Sequence, residues 1–234
     1  MMCAFPLVGS TIWILEILWT RLVLLLNQNA PVISAKVAAL GFVLLPVFIT
    51  GGIHLDGFMD TSDALASHAP IQKKLEILKD SHAGAFAILA CVLYFLTNFI
   101  FSLELFEGIF KSHSAKEIQF LGAIFFESRL LSAFAVATFP IAKNSGLVHT
   151  FSTLSDKRFT AFFCGFLFLI LNLILFFVNW KNALTLCVTN LFVFVIYFFV
   201  TRKNFNGITG DTAGWFLQIT ELCSLIAFVL FQSF

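Results

Sequence analysis

Long runs of apolar residues dominate this chain, and they limit the folds that it can adopt. The runs extend over about 5–26, 32–52, 84–106, 118–141, 159–179, 183–200 and 213–232. A helix of ~20 apolar residues spans the roughly 30 Å hydrocarbon core of a bilayer. Charged residues make up only 12% of the chain, about half the share that a soluble domain carries. We therefore predict an all-α polytopic membrane protein with about seven transmembrane helices, forming a single domain over 1–234.

Basic residues in the connecting segments orient these spans. With seven spans, the segments 53–83, 142–158 and 201–212 share one side of the membrane. That side carries eight basic residues, namely Lys73, Lys74, Lys79, Lys143, Lys157, Arg158, Arg202 and Lys203. The other side carries five at most, namely Arg21, Lys36, Lys111, Lys116 and Lys181. Because Lys and Arg are retained on the cytoplasmic side, we expect the first side and the amino terminus to face the cytoplasm.

One polar interruption, the segment 54–63, carries three aspartates. Asp56, Asp60 and Asp63 stand at positions i, i+4 and i+7, so a helix here would place all three carboxylates on one face. Three like charges at that spacing repel one another unless a cation lies between them, and Mg²⁺ prefers oxygen ligands. The alternative is an aqueous loop whose acids simply face water. The i, i+4 and i+7 spacing of the three aspartates favours a Mg²⁺ site over an aqueous loop.

Two further polar segments fall on the same predicted side of the membrane. One is 79–84, and the other is 206–214, which opens the last span. Glycines allow the backbone to approach a ligand, and a helix amino terminus presents N–H groups to a phosphate. The second segment is equally consistent with an ordinary helix cap in which Asp211 or Thr212 is the N-cap residue.

Among the charged residues inside the predicted spans, Glu127, Arg129 and Glu221 stand out. Glu127 and Arg129 fall in the middle of the fourth span, and Glu221 falls well inside the seventh. A charge at that depth costs several kcal/mol unless it is paired or faces a wet cavity. Arg129 is therefore expected either to pair with a carboxylate and fix the helix register, or to point into a polar cleft that leads from the aspartates.

Taken together, these motifs resemble the cobalamin synthase family, the adenosylcobinamide-GDP ribazoletransferases. The resemblance rests on 51–63, on 77–81 with Gly84, on the pair Ser128 and Arg129, and on 207–212 with Gly214; residues 5–9 are similar to the start of that family's first span. The pattern departs from the family at His82, where an arginine is usual, and at Ala64, Ala87 and Gln218. The family usually has a further amino-terminal segment, and we expect this chain to begin after it.

The resemblance implies a multi-pass, Mg²⁺-dependent transferase of the phosphotransferase type, in the cytoplasmic (inner) membrane of a bacterium or archaeon. Such an enzyme joins adenosylcobinamide-GDP to α-ribazole or its 5′-phosphate and releases GMP, at the last stage of adenosylcobalamin biosynthesis. The metal ligands would be Asp56, Asp60 and Asp63. Candidate catalytic residues are Asp56, Asp80, Asp211 and His54, with the general base favoured at Asp80 or Asp211. Candidate substrate contacts are Lys79, Ser81, Gly84, Arg129, Thr209, Gly210 and Glu221.

Two other functions remain open at this point. A CDP-alcohol phosphotransferase also uses clustered aspartates at a membrane surface, although Asp60 and Thr61 stand where its pattern needs Ala-Arg. A divalent-cation transporter would use the same three aspartates as its ion site, but such sites usually lie near the bilayer midplane. With a net charge of +1, no nucleic-acid partner is expected. The lipid bilayer is an expected partner, and a homo-oligomer remains open.

Overall fold

The computed structural model describes residues 2–112, 116–142 and 147–231, and these ranges are built from helices. Ile141 and Ile208 pair in an isolated β-bridge. A short 3-10 turn at Met2–Ala4 precedes the first helix. The α-helices of the described ranges are α1 Pro6–Leu26, α2 Ala35–Thr50, α3 Ile53–Ala66, α4 Ile71–Ile77, α5 Ala85–Ser112, α6 Lys116–Thr138, α7 Leu147–Leu154, α8 Lys157–Val178, α9 Trp180–Phe205 and α10 Gly210–Phe231.

The helices confirm the predicted all-α membrane architecture. Within the described ranges, six helices are long and apolar enough to cross a membrane, and the bent pair of α2 and α3 raises the number to as many as seven. Each predicted span coincides with one of these helices to within a few residues. The predicted connecting segments contain more helix than expected, because α3 and α4 lie within 53–83 and α7 lies within 142–158. Lys143 and Gln232 lie outside the described residues.

α6 forms the centre of the bundle. In its most apolar stretch 83% of the residues are buried, against 17% for α8. The apolar core around Ile12, Phe106 and Leu121 joins α6 to α1 and α5. A second core around Leu130, Tyr197 and Phe216 joins α6 to α9 and α10. Helices α5, α8 and α9 expose many large apolar side chains, as helices that face lipid do.

A sharp break separates α2 from α3. Gly51 and Gly52 both adopt positive φ angles, 62° and 76°, a conformation that glycine reaches without the steric cost of a Cβ. The helix axis turns by 94° at this point. α2 alone is about 24 Å long, shorter than the roughly 30 Å hydrocarbon core, and α3 turns away from it.

α3 lies across one end of the bundle, where several helices begin or end. Its first half packs closely on the start of α10, because a Cβ on Gly57 would lie 2.8 Å from the backbone oxygen of Asp211 and one on Gly214 would lie 2.9 Å from that of His54. At its other end, Ala64 packs with Leu78 and with Phe205, the last residue of α9. The polar run that the sequence singles out is therefore held at an end of the bundle, outside the spanning helices.

Candidate functional site

The three aspartates of α3 share one face of a single helix, as the helical alternative requires. Asp56 is exposed, whereas Asp60 and Asp63 are half-buried. Because α3 includes the whole of 54–63, the spacings of four and three residues place these carboxylates along one side of the helix. The aqueous-loop alternative does not describe this segment.

Two aspartates from other parts of the chain approach the same helix. Burial, together with the negative charges of Asp56, Asp211, Asp63 and Asp80, raises the pKa of Asp60 from its ordinary value to about 6. Asp211 is in the first turn of α10, and Asp80 follows α4. The end of the bundle therefore places four other carboxylates within electrostatic range of Asp60, two more than the sequence placed in its motif.

This arrangement suits a divalent cation in its donor chemistry and its charge. Carboxylate oxygens are the ligands that Mg²⁺ prefers, and the negative charges of four neighbouring aspartates add to the effect of burial in raising the pKa of Asp60. The oxygens are not yet gathered into a coordination shell, since within the described ranges no three His, Cys, Asp or Glu side chains are close enough together to hold a metal. Binding a cation would require the carboxylates to move together.

Asp63 is already engaged with the start of α5. Its Oδ1 accepts a hydrogen bond from the backbone N–H of Ala87 at 3.3 Å. Gly84 leaves the space that this carboxylate occupies, because a Cβ there would lie 2.2 Å from Oδ2 of Asp63. A glycine at position 84 therefore leaves room for the Asp63 carboxylate. One oxygen of Asp63 accepts a hydrogen bond at the amino terminus of α5, where the helix dipole favours negative charge.

Asp80 lies in an exposed turn between α4 and α5. Its Oδ1 accepts the backbone N–H of His82 at 3.0 Å and lies 2.7 Å from Nδ1 of the His82 ring. These hydrogen bonds hold the pKa of Asp80 below its usual range. Lys79 and Ser81, the predicted phosphate contacts in this segment, are both exposed at the same end of the molecule.

The segment 206–214 forms a reciprocal cap on α10. The backbone N–H of Thr209 donates to Oγ1 of Thr212 at 2.8 Å, and the N–H of Thr212 donates to Oγ1 of Thr209 at 3.2 Å. A helix cap is confirmed, but its N-cap residue is Thr209 rather than Asp211 or Thr212. The two reciprocal hydrogen bonds form a capping box. Gly210 is exposed, with no atom near the position of its missing Cβ. Asp211 is half-buried and accepts from the Thr209 hydroxyl at 3.4 Å.

His54 sits at the junction of α3 with the amino terminus. Its ring meets Phe5 edge-on, with 6.0 Å between centroids. Burial, and secondarily the charge of Arg129, lowers its pKa to about 3. The imidazole is therefore neutral at physiological pH and a poor proton acceptor, which makes it the weakest of the candidate bases.

Arg129 is fully buried in α6 and forms an ion pair with Glu221 of α10. Its Nη1 also donates to Oγ of Ser128 at 2.9 Å and to the backbone oxygen of Phe125 at 3.2 Å. Ser128 in turn donates to Glu221 at 3.2 Å. The structure thus contains the carboxylate pair expected by the first of the two interpretations, and a role in substrate binding for Arg129 or Glu221 stays a prediction.

Glu127, two residues before Arg129 in α6, belongs to a separate buried network. Asn172 of α8 donates to its Oε1 at 3.0 Å, and Asn190 of α9 donates to its other oxygen. Ser224 of α10 donates to Asn190 at 2.6 Å. These polar side chains connect four helices and account for a carboxyl group at this depth.

A cavity of about 480 Å³ opens beside Asp56 and Asp211. Residues of α1, α2, α3, α6, α7 and α10 line it. His54, Asp56 and Asp211 border it where α3 meets α10, and the remaining wall is largely apolar, for example at Phe5 and Val136. Asp60, Asp63 and Asp80 are not part of its lining.

Comparison with known proteins agrees with this set of motifs. The family model described as cobalamin-5-phosphate synthase matches residues 1–229. The chain belongs to this family. Among its relatives are proteins named adenosylcobinamide-GDP ribazoletransferase from Lachnoclostridium phytofermentans, 34% identical over 97% of this chain and 82% of the relative, and from Geobacillus sp., 34% identical over 93% and 80%. Another, from Desulfitobacterium hafniense, is 32% identical over 95% and 83%. No solved structure matches the chain.

For this cobalamin-5-phosphate synthase family member, the structure brings most of the predicted site residues to one end of the bundle. Residues from α3, the turn after α4 and the start of α10 meet there, whereas Arg129 and Glu221 lie deeper between helices. Sequence reasoning did not identify the cavity walls, among them Val136 of α6 and Phe151 of α7. No signal could have identified them, because an apolar residue that lines a cavity is indistinguishable in sequence from one that packs in a membrane bundle.

Proposed function

We propose that this protein joins adenosylcobinamide-GDP to α-ribazole or its 5′-phosphate and releases GMP, as a Mg²⁺-dependent transferase. The observation that carries the proposal is the convergence of five aspartates at one end of a membrane bundle. A reaction between a hydroxyl group and a diphosphate needs such a centre, because negative charge on the phosphates must be neutralised and the hydroxyl must lose its proton. The names of the relatives supply the substrates.

The carboxylates would divide the work between them. Asp56, Asp60 and Asp63 would hold Mg²⁺, which neutralises charge on the diphosphate and the leaving nucleotide when it is bound. Asp211 adjoins these residues on α10 and also borders the cavity, so it is placed to accept the proton of an incoming hydroxyl group. Asp80 is the second candidate for that role, although its carboxylate is occupied by His82.

Phosphate groups would be bound by exposed residues around the acids. Lys79 offers a point charge and Ser81 a hydroxyl in the turn before α5. At the start of α10, Gly210 leaves the backbone open to close approach. Thr209 uses its side chain and N–H in the cap, so it would support this surface rather than bind phosphate through those groups.

The site end would face the cytoplasm. The described part of that end carries Lys73, Lys74, Lys79, Lys157, Arg158, Arg202 and Lys203, the excess of basic residues that marks a cytoplasmic surface. Soluble nucleotide substrates would then reach the acids without crossing the bilayer.

The test uses the full-length protein in detergent or proteoliposomes, with release of GMP from adenosylcobinamide-GDP as the readout. We expect release only when α-ribazole or its 5′-phosphate and Mg²⁺ are both present. Asp56→Asn should reduce turnover at least about a hundredfold, because it removes a charged ligand at an exposed position that packing does not need. The matched control is Glu76→Gln, the same charge-to-amide change at an exposed residue of α4, which should keep wild-type turnover.

Either of two results would contradict the proposal. One is GMP release by Asp56→Asn at the wild-type rate. The other is uptake of divalent cations by wild-type proteoliposomes without any nucleotide chemistry, which would indicate a transporter. Transfer from a CDP-linked donor in place of adenosylcobinamide-GDP would instead indicate a CDP-alcohol phosphotransferase.

A further inference from the structure

The cavity beside the acids has a different character from the aspartate face of α3. It holds about 480 Å³, which lies within the roughly 300–1,000 Å³ of typical small-molecule sites. Its lining runs from polar residues at Asp56 and Asp211 to apolar residues such as Val136 and Leu217. Such a gradient suits a ligand with one polar and one apolar half.

We propose, resting on the function proposed above, that this cavity binds the aromatic base of the ribazole substrate, with the ribose directed towards Asp56 and Asp211. Size supports the assignment. A nucleoside with a two-ring base fits a cavity of this volume, whereas a corrinoid that carries GDP is several times larger and does not. The larger substrate must therefore lie on the open acidic face, outside the cavity.

Polarity supports the same division. An aromatic base gains most when its faces are buried against apolar and aromatic side chains, and Phe5 and Phe151 both border the cavity. Among the described residues that line it there is no Lys or Arg, so a diphosphate would find acids there and no positive partner. The diphosphate is better placed beside Asp60 and Asp63, where a cation can accompany it.

This placement also chooses between the two candidate bases. Asp211 borders the cavity and Asp80 does not, so of these two carboxylates only Asp211 can meet a hydroxyl group of a ribose held there. The ribose O–H passes its proton to the Asp211 carboxylate, and its oxygen bonds to the phosphorus nearer the cobinamide. The bond from that phosphorus to the bridging oxygen breaks, and the bridging oxygen leaves as part of GMP.

Filling the cavity tests the assignment. Val136→Trp places a large ring in the wall of the cavity, and we expect the KM for α-ribazole to rise at least about tenfold while the KM for adenosylcobinamide-GDP stays within about twofold. A riboside with a one-ring base should be affected less than one with a two-ring base. General damage to the fold would affect both nucleosides and both substrates alike. The control is Val195→Trp, the same change at a half-exposed position of α9, which should alter neither KM.

Phe151→Ala provides an independent variant, in case the larger side chain prevents folding. It removes an aromatic contact at a half-buried position and should also raise the KM for α-ribazole about tenfold. The proposal is overturned if Phe151→Ala leaves that KM unchanged, or if Val136→Trp affects both substrates equally.

Failure of the proposed function is separable from failure of this inference. If the wild-type protein releases no GMP, calorimetric titration of α-ribazole into the detergent-solubilised protein replaces the kinetic readout. Binding to the wild-type protein that is about tenfold weaker in both Val136→Trp and Phe151→Ala would support the cavity as the base site. Absence of binding to the wild-type protein, or equal binding to all three, would overturn it.

Discussion

Leucine substitutions at the two members of the buried pair, Arg129 and Glu221, should reduce the stability of the protein by different amounts. Replacing either residue by leucine leaves its partner without a counter-charge inside the bundle. Glu221 can respond by taking up a proton, whereas a guanidinium group cannot be deprotonated in a protein. We therefore expect Glu221→Leu to destabilise the protein more than Arg129→Leu does.

The magnitude follows from burial. Arg129 is 0% exposed and Glu221 6%, so neither group can reach bulk water without disrupting the bundle. Removing one partner of a buried pair costs about 3–5 kcal/mol, whereas replacing both by apolar residues is often close to neutral. Against a typical total stability of about 5–15 kcal/mol, Glu221→Leu should consume a large fraction of the whole. The double variant Arg129→Leu/Glu221→Leu should recover most of that loss.

The assay is the free energy of unfolding in a graded mixture of mild detergent and dodecyl sulfate, measured alongside the kinetics of GMP release. The two interpretations of Arg129 then separate. A structural pair predicts recovery of stability in the double variant, with both KM values near wild type. A residue that contacts substrate predicts a raised KM in Arg129→Leu and no recovery of that KM in the double variant.

A milder effect of Glu221→Leu than of Arg129→Leu would refute the reasoning, because it would mean that the guanidinium group finds another partner or water. Failure of the double variant to regain stability would do the same. The Nη1 contacts with Ser128 and the backbone oxygen of Phe125 remain in Glu221→Leu, and they reduce the extent to which that variant is destabilised.

Two further predictions concern the aspartates, and a third concerns the contact between α3 and α10. The pKa of Asp60 is raised to about 6 and Mg²⁺ requires the ionised carboxylate, so the apparent Mg²⁺ affinity in a metal titration should fall as the pH drops through about 6. Asp211→Asn removes a neighbouring negative charge and should move this loss of affinity to lower pH. Asp63→Asn should weaken Mg²⁺ binding but keep the hydrogen bond from the start of α5, whereas Asp63→Ala should weaken Mg²⁺ binding and also lower the melting temperature. Equal melting temperatures for the two variants would show that this hydrogen bond does not stabilise α5. Gly214→Ala should separate α10 from α3 and lower thermal stability, by about 1–3 kcal/mol if the two helices move apart, and an unchanged melting temperature would show that the close approach to His54 is dispensable.

The sequence predicted the fold well because a bilayer leaves few alternatives. Any long apolar run must be a helix there, since no water is present to satisfy the backbone. The ends of the helices were predicted less accurately. α9 continues about five residues beyond the predicted end of its span, through Thr201 to Phe205. Hydropathy ends at the first charges, such as Arg202, but a helix continues until its backbone is capped, here at Asn206 with a positive φ.

The site was predictable only in part. The register of Asp56, Asp60 and Asp63 could be read from the chain, because it depends on a single helix. For Asp80 and Asp211 the sequence indicated the same side of the membrane, and the family resemblance named both as candidate catalytic residues. Their approach to Asp60 depends on how α3 packs against the turn after α4 and against α10, and no spacing in the sequence records such a contact. The cavity depends on the same packing and was missed for the same reason.

The glycine break between α2 and α3 links the membrane fold to the chemistry. A continuous helix through 35–66 would be about 48 Å long, well beyond the roughly 30 Å hydrocarbon core, and would carry the three aspartates away from the ends of the other helices. The 94° turn at Gly51 and Gly52 instead lays the acidic face across the end of the bundle, next to the first turn of α10. The same turn places the start of α3 against the apolar wall of the cavity. One break in one helix thus gives a largely apolar chain both an acidic surface and an adjoining apolar cavity, the two features on which the proposed binding of a diphosphate and of an aromatic base depends.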